Sequence, residues 1–404
     1  MNVKIEKSKA CGTVFAPPSK SMAHRMLIAA ALCEGESRIS GVSVCEDVLA
    51  TIDCLTALGA KCAFDGTDVV VAGADMRKSE PKEVLECRES GSTLRFMLPI
   101  AMLSDNEATF RGAKRLMERP MAVYEEICEK KNFRYTRVGD TITVKGCFRG
   151  GTFELPGNVS SQFITGLLYA LSVTGEDSRI KITTEIESKS YIELTRSAMA
   201  AFGVEVIWED ERTLYIKGGQ KYNARDISVE GDYSGSAFLE AFNLFEGEVK
   251  VLGLSDVSLQ GDRVYREHFP RLKNGFCTVN IEDCPDLGPI LFAVAAGLHG
   301  GEFIGTRRLR IKESDRASAM AEELRKFGAE VEVFENSVTV KKSTLHAPCE
   351  ILSGHNDHRI VMSLAVLSSL YGGEITEAEA VKKSYPAFFD DIKKLGIIFE
   401  TYEI

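Results

Sequence analysis

The chain has 404 residues, of which 44% are hydrophobic and 27% charged, the make-up of a folded globular protein rather than a disordered, collagenous or coiled-coil one. At roughly 150 residues per domain, this length predicts two or three domains. The net charge of −10 makes the chain a poor non-specific binder of nucleic acid, and the longest apolar runs, residues 290–298 and 360–367, fall short of the ~20 residues that span a bilayer.

The opening MNVKIEK alternates and is charged, without the apolar core of a secretory signal. It predicts a strand with no helix of its own before the Pro17-Pro18 break. Six segments then read as a strand or turn, a polar cluster and an apolar helix. They begin at Ser19, Ser90, Ser160, Asp232, Asp286 and Asp357, in steps of 71, 70, 72, 54 and 71 residues. A second series runs in phase with the first: an amphipathic helix, a Gly or Asn break and a strand pair. Its members start near Leu55, Ile127, Met199 and Leu324, with weaker copies at Asn274-Gly275 and Leu395-Gly396. Each unit is thus β-α-β-α-β-β, with one helix apolar nearly all round and one amphipathic. Six units predict an α/β protein of two three-repeat domains. With the N-terminal strand completing the last unit, the domains are 19–229 and, discontinuously, 1–18 plus 230–404.

The starts of the apolar helices carry cations. Lys20, Arg25, Arg95 and Arg359 are read there, in first turns, where the helix dipole disfavours positive charge. A bound anion reconciles dipole and cation. Three more basic clusters precede the amphipathic helices, at residues 114–120, 310–316 and 382–386. Lys312 and Arg316, four apart, are expected on one face of a helix start. Capping alone accounts for the Ser and Asp residues at these starts. Two carboxylates lie among the cations. Asp286 is either an N-cap or a general base, and Glu313 either an ion-pair partner of Arg316 or a general acid. An acidic chain that gathers Lys and Arg at equivalent loops suits a small polyanion. No phosphate-binding G-x-x-x-x-G-K-[ST] or G-x-G-x-x-G motif occurs.

His355 and His358 lack a third ligand at a telling spacing, so no metal site is expected. The 11 cysteines are odd in number and form no CxxC pair, which suits reduced thiols in a cytoplasmic protein.

Ten motifs, in order along essentially the whole chain, resemble the 3-phosphoshikimate 1-carboxyvinyltransferase family, also called 5-enolpyruvylshikimate-3-phosphate synthases. They are PSKSMAHR (18–25), ESGSTLR (89–95), RLMERPM (115–121), VSSQFITGLL (159–168), ESKSYIELT (187–195), EGDYS (230–234), PDLGP (285–289), LRIKESDR (309–316), NDHR (356–359) and KKSYPAFF (382–389). The resemblance implies an enolpyruvyl transferase-like, inside-out α/β barrel in each domain, with the active site in the cleft between them. It implies transfer of the enolpyruvyl group of phosphoenolpyruvate to the 5-hydroxyl of shikimate 3-phosphate, with release of phosphate, on the way to chorismate and aromatic amino acids. It implies no metal or organic cofactor, no nucleic-acid or membrane partner, and a monomer.

Carried over by motif, the catalytic residues are Asp286, Glu313 and Lys20. Shikimate 3-phosphate falls to Lys20, Ser21, Arg25, Ser160, Ser161, Gln162, Ser188, Tyr191, Asp286 and Lys312. Phosphoenolpyruvate falls to Lys20, Gly91, Arg115, Gln162, Arg316, Arg359 and Lys383. The sequence departs from the family pattern at Glu89-Ser90, where many members have Asn-Ala, and at Arg308, where some have Asn. The related transferase that acts on UDP-N-acetylglucosamine usually carries a reactive Cys in the loop that here reads FRGAKRLMERP, which has none. A non-catalytic sensor of phosphate metabolites is the alternative from another class, and the presence of both Asp286 and Glu313 argues against it.

Overall fold

Residues 1–403 are described by the computed structural model of the chain. They divide into two compact units, Lys20–Val229 and Met1–Ser19 with the described residues from Glu230 onward. Each has one hydrophobic core of its own.

The unit Lys20–Val229 holds helices α1 (Lys20–Ala31), α2 (Glu46–Ala57), α3 (Gly91–Ala101), α4 (Lys114–Glu118), α5 (Ala122–Lys130), α6 (Ser161–Ser172) and α7 (Lys189–Ala201). Helices α1, α3 and α6 are the apolar ones and are buried along most of their length. Three four-stranded sheets cover them. In each, two parallel strands are followed by an antiparallel hairpin, as in 151–155, 178–182, 213–216 and 206–208. The first sheet takes its outer strand from the far end of the unit, where Ile227 pairs with Ile39.

Proline and glycine set the α3–α6 contact. Pro99 sits inside α3 and has no N–H to offer the carbonyl of Arg95, four residues back. The Tyr124 hydroxyl donates to that carbonyl instead, at 2.6 Å. A Cβ on Gly166 of α6 would lie 2.3 Å from the same oxygen, so only glycine permits the approach.

The second unit holds α8 (Tyr233–Ala241), α9 (Tyr265–Asn274), α10 (Gly288–Gly297), α11 (Arg316–Lys326), α12 (His358–Tyr371) and α13 (Phe388–Lys394). Helices α8, α10 and α12 form its core. Only the repeat around α10 has a complete four-stranded sheet. The repeat around α12 is completed from the start of the chain: strand Asn2–Ile5 lies antiparallel between 373–375 and 399–402. The repeat around α8 has just two strands, 11–15 and 248–252, and no hairpin before α10. This departs from six equal repeats and accounts for the single 54-residue step. Among the described residues, no helix is long and apolar enough to cross a membrane.

Candidate active site

In the unit Lys20–Val229, α1 begins at Lys20, whose ammonium lies 2.7 Å from Asp47 at the start of α2. Arg25 is in the second turn, not the first, and is 2% exposed. Its Nε donates to the Thr195 hydroxyl at 2.9 Å, and its Nη1 and Nη2 donate to the carbonyls of Ser21 and Tyr191 at 2.7 and 3.1 Å. The guanidinium also lies over the rings of Phe96 and Tyr191. All these partners are neutral. Burial lowers the pKa of Arg25 from its ordinary value, and a guanidinium still keeps its charge. A buried cation held only by neutral groups keeps a charge that no protein carboxylate balances.

A chain of hydroxyls fixes the neighbouring helix starts. His24 Nδ1 meets Thr51 Oγ1 at 2.8 Å, Thr51 meets Thr93 at 2.7 Å, and Thr93 donates to Ser90 Oγ at 2.7 Å. Ser90 caps α3, accepting the Thr93 N–H. Burial first, then Lys20 and Arg25, hold the His24 imidazole in its neutral form. Gly91 follows the cap. A Cβ there would stand 2.7 Å from Nη1 of Arg119, so the guanidinium of Arg119 packs directly on the helix start. Arg115 instead stands at the surface, 43% exposed and 3.9 Å from Glu118. Arg119 is thus a cation beside Gly91 that the motif reading left without a role. Its signal was its place in the basic cluster 114–120, in the link between α4 and α5.

Arg95, also in a second turn, donates from Nη1 to Gln162 Oε1 at 2.7 Å, and Gln162 Nε2 donates to Ser92 Oγ at 2.9 Å. The Gln162 amide is therefore oriented from both ends. Ser160 caps α6 by accepting the Gln162 N–H, and Ser161 opens the helix. Ser188 caps α7 in the left-handed conformation, φ 59°, which is unusual for a residue with a Cβ. Its side chain makes no cap hydrogen bond. Tyr191 follows in the first turn and touches Arg25 with both ring and carbonyl.

In the other unit, Asp286 lies in a single 3₁₀ turn, Pro285–Leu287, just before α10. It gathers three cations. Lys312 Nζ and Arg316 Nη1 reach its Oδ1 at 3.1 and 2.8 Å, and Arg359 Nη2 reaches its Oδ2 at 3.0 Å. Arg316, 1% exposed, also holds Glu313 at 2.7 Å and Asp357 at 2.8 Å. Asp357 is fully buried and caps α12 by accepting the Arg359 N–H. Burial opposes its ionisation, but Arg316 prevails and holds its pKa below the ordinary value. Burial also lowers Lys312, to about 8, against the pull of Asp286. Lys383 donates to the carbonyl of Asn356, a second left-handed residue outside glycine, φ 49°.

Two sequence expectations are corrected. Lys312 and Arg316 do not share a helix face. Asp315 caps α11, so Lys312 lies outside the helix, and the two cations meet on Asp286 instead. Nor do Arg25 and Arg95 sit in first turns: Arg25 folds back to the Ser21 carbonyl, and Arg95 reaches across to Gln162 and the Pro120 carbonyl. Spacing marked Asp357 only as a helix start, and it gave no reason to select Asp47. Glu322, Glu323 and His355 come within metal-ligand distances of one another. Glu323, however, already holds Lys326, His355 and the Ser353 N–H.

The family model of EPSP synthase (3-phosphoshikimate 1-carboxyvinyltransferase) matches residues 5–392. A 3-phosphoshikimate 1-carboxyvinyltransferase of Clostridium perfringens is 40% identical over 422 aligned positions, covering 98% of this chain and 99% of the relative. One of Clostridioides difficile is 39% identical, covering 98% and 97%. Among solved structures, an EPSP synthase from Acinetobacter baumannii superposes with a TM-score of 0.79 at 21% identity over the whole of both chains. The enolpyruvyl transferase NikO from Streptomyces tendae superposes at 0.75 with 12% identity, covering 99% and 98%. At these identities the two structures speak for the fold alone.

Proposed function

The chain belongs to the EPSP synthase family, and from that membership we propose how its residues divide the transfer of the enolpyruvyl group of phosphoenolpyruvate to the 5-hydroxyl of shikimate 3-phosphate. The observation that carries the reading is the cluster on Asp286: one carboxylate shared by Lys312, Arg316 and Arg359, with Glu313 on the same Arg316.

Glu313 gives a proton to the methylene carbon of phosphoenolpyruvate, which makes the adjoining carbon cationic. The 5-hydroxyl attacks that carbon as Asp286 takes its proton. The tetrahedral adduct then returns a proton from the new methyl group to Glu313 and expels phosphate, which carries away the proton that Asp286 took. Arg316, Arg359 and Lys383 hold the carboxylate and the leaving phosphate, with Lys20 and Arg115 completing the set. Shikimate 3-phosphate rests on Arg25, whose partners are all neutral, and on Ser21, Ser160, Ser161, Gln162, Ser188, Tyr191 and Lys312. Lys20 and Gln162 serve both substrates. The enzyme works in the cytoplasm as a monomer, with no metal or organic cofactor.

Phosphate release should require both substrates together. Release with UDP-N-acetylglucosamine in place of shikimate 3-phosphate would overturn the reading.

A further inference from the structure

Residues 353–357, which lead into α12, are tied to α11 at two places. At one, Asp357 holds Arg316, the first residue of α11, at 2.8 Å. At the other, His355 Nε2 lies 2.9 Å from Oε1 of Glu323, and the Ser353 N–H donates to Glu323 Oε2 at 2.9 Å. Arg316 and Glu323 are seven residues apart, two turns of helix, so α11 offers both from one face. Glu323 is fully buried, and Lys326 donates to both its oxygens at 3.0 Å. Burial disfavours this carboxylate, but the bonds from His355 and Lys326 prevail and hold its pKa below the ordinary value. A carboxylate only accepts, so His355 Nε2 carries a proton and donates it to the bond.

Between the two ties the backbone is bent against its preference. His355 and Asn356 are both left-handed, each at φ 49°, and neither is glycine. Two such residues in succession persist only where their surroundings hold them. The turn is closed by the Asp357 N–H on the Gly354 carbonyl at 2.9 Å and by the His355 N–H on Ser353 Oγ at 3.1 Å. Its bend aims the Asn356 carbonyl at Lys383, which donates to it. His355 takes no part in the steps above.

We propose that His355 is a positioning residue: bonded to Glu323, it holds the left-handed turn that presents the Asn356 carbonyl to Lys383, and so fixes that cation for phosphoenolpyruvate. The inference rests on the reading that Lys383 binds phosphoenolpyruvate. The imidazole itself meets no substrate; it acts through the backbone, by way of the carbonyl one residue on.

The test compares KM for phosphoenolpyruvate and for shikimate 3-phosphate in the parent and in His355→Gly, His355→Asn and His355→Gln. Glycine and asparagine both accept the left-handed turn but cannot reach Glu323. The glutamine amide nitrogen can stand where Nε2 stood. Glu323 keeps Lys326 and the Ser353 N–H in every variant, so each should fold. With Gly or Asn, KM for phosphoenolpyruvate should rise about tenfold, the effect of one charge-assisted hydrogen bond, and with Gln it should return to within about twofold of the parent. KM for shikimate 3-phosphate should stay within about twofold throughout. In a Lys383→Met background, His355→Gly should add little, because its effect passes through Lys383. An unchanged KM for phosphoenolpyruvate, an equal rise for both substrates, or the full rise on top of Lys383→Met would overturn the inference. If the parent releases no phosphate, the assigned reaction fails first. The rate at which acetic anhydride acetylates Lys383, read by mass spectrometry, then decides the role of His355. It should rise several-fold with Gly and Asn but not with Gln, and equal rates in all four proteins would overturn the inference.

Discussion

The two units hold their buried arginines in opposite ways. Arg25 is surrounded by two carbonyls, a hydroxyl and two aromatic rings, with no carboxylate against it. Arg316 is locked by three carboxylates: Asp286, Glu313 and Asp357. The first arrangement leaves a positive charge uncompensated until an anion arrives. The second is balanced before any ligand binds and must redistribute its partners when one does. A site of the first kind is suited to gripping a phosphate. A site of the second kind places carboxylates where protons can be moved. Lys20, paired with Asp47, is a cation of the balanced kind within the unit that holds Arg25.

Four substitutions bear on this contrast. Glu313→Gln removes a transferable proton and little else. Turnover should fall by ~10²–10⁴-fold while shikimate 3-phosphate still binds. The melting temperature should barely move, because Arg316 keeps Asp286 and Asp357. Near-normal turnover would reduce Glu313 to an ion-pair partner.

Arg316→Met should destabilise the protein by about 3–5 kcal/mol, since it strands the fully buried Asp357. In the parent, the lowered pKa of Asp357 contributes stability above its unfolded-state value, and this is lost as pH falls through its folded value. The deficit of the variant should therefore shrink on acidification, as Asp357 takes a proton. Urea melts at two pH values measure it.

Arg25→Met should behave in the opposite way. It leaves no charge stranded, so stability should hold within about 1 kcal/mol, whereas affinity for shikimate 3-phosphate should drop by about 2–5 kcal/mol. A large loss of stability here would erase the distinction between the two arginines. The smallest effect is expected away from both. Tyr124→Phe removes the donor to the Arg95 carbonyl that Pro99 leaves unserved, and should cost about 1–3 kcal/mol of stability. Activity should follow only so far as Arg95 and Gln162 lose their alignment.

Much of this architecture could be read from periodicity. The helix starts at 19, 90, 160, 286 and 357 recur because each repeat must bury one apolar helix under one sheet, and that demand fixes both spacing and composition. The repeat at 232 broke the spacing because its hairpin is missing, a loss visible in the 54-residue step but interpretable only with the strands paired. The cations were legible because they conflict with the helix dipole. Their exact turns were not, because a long side chain of the second turn can reach back to the first, as Arg25 does, or across to another helix start, as Arg95 does. Least legible were the acids. Asp47, Glu323 and Asp357 look like ordinary caps or surface residues in one dimension. Their meaning comes from burial and from what approaches them, which repeat spacing does not encode. Arg119 was hidden likewise, since its contact with Gly91 joins segments 28 positions apart.

The strand Asn2–Ile5 runs between 373–375 and 399–402, with Asn2 opposite Tyr402. During synthesis on the ribosome this strand is made long before either neighbour, so it waits unpaired while the segments between them emerge. The segment 20–229, with its own core, has all it needs to fold in that interval. The antiparallel register also brings residues 2 and 402 together as in a hairpin. A circular permutant that joins them by a short turn and opens the chain between Ser19 and Lys20 would make the divided unit continuous. In that permutant the strand would be made next to a partner, and the wait would disappear.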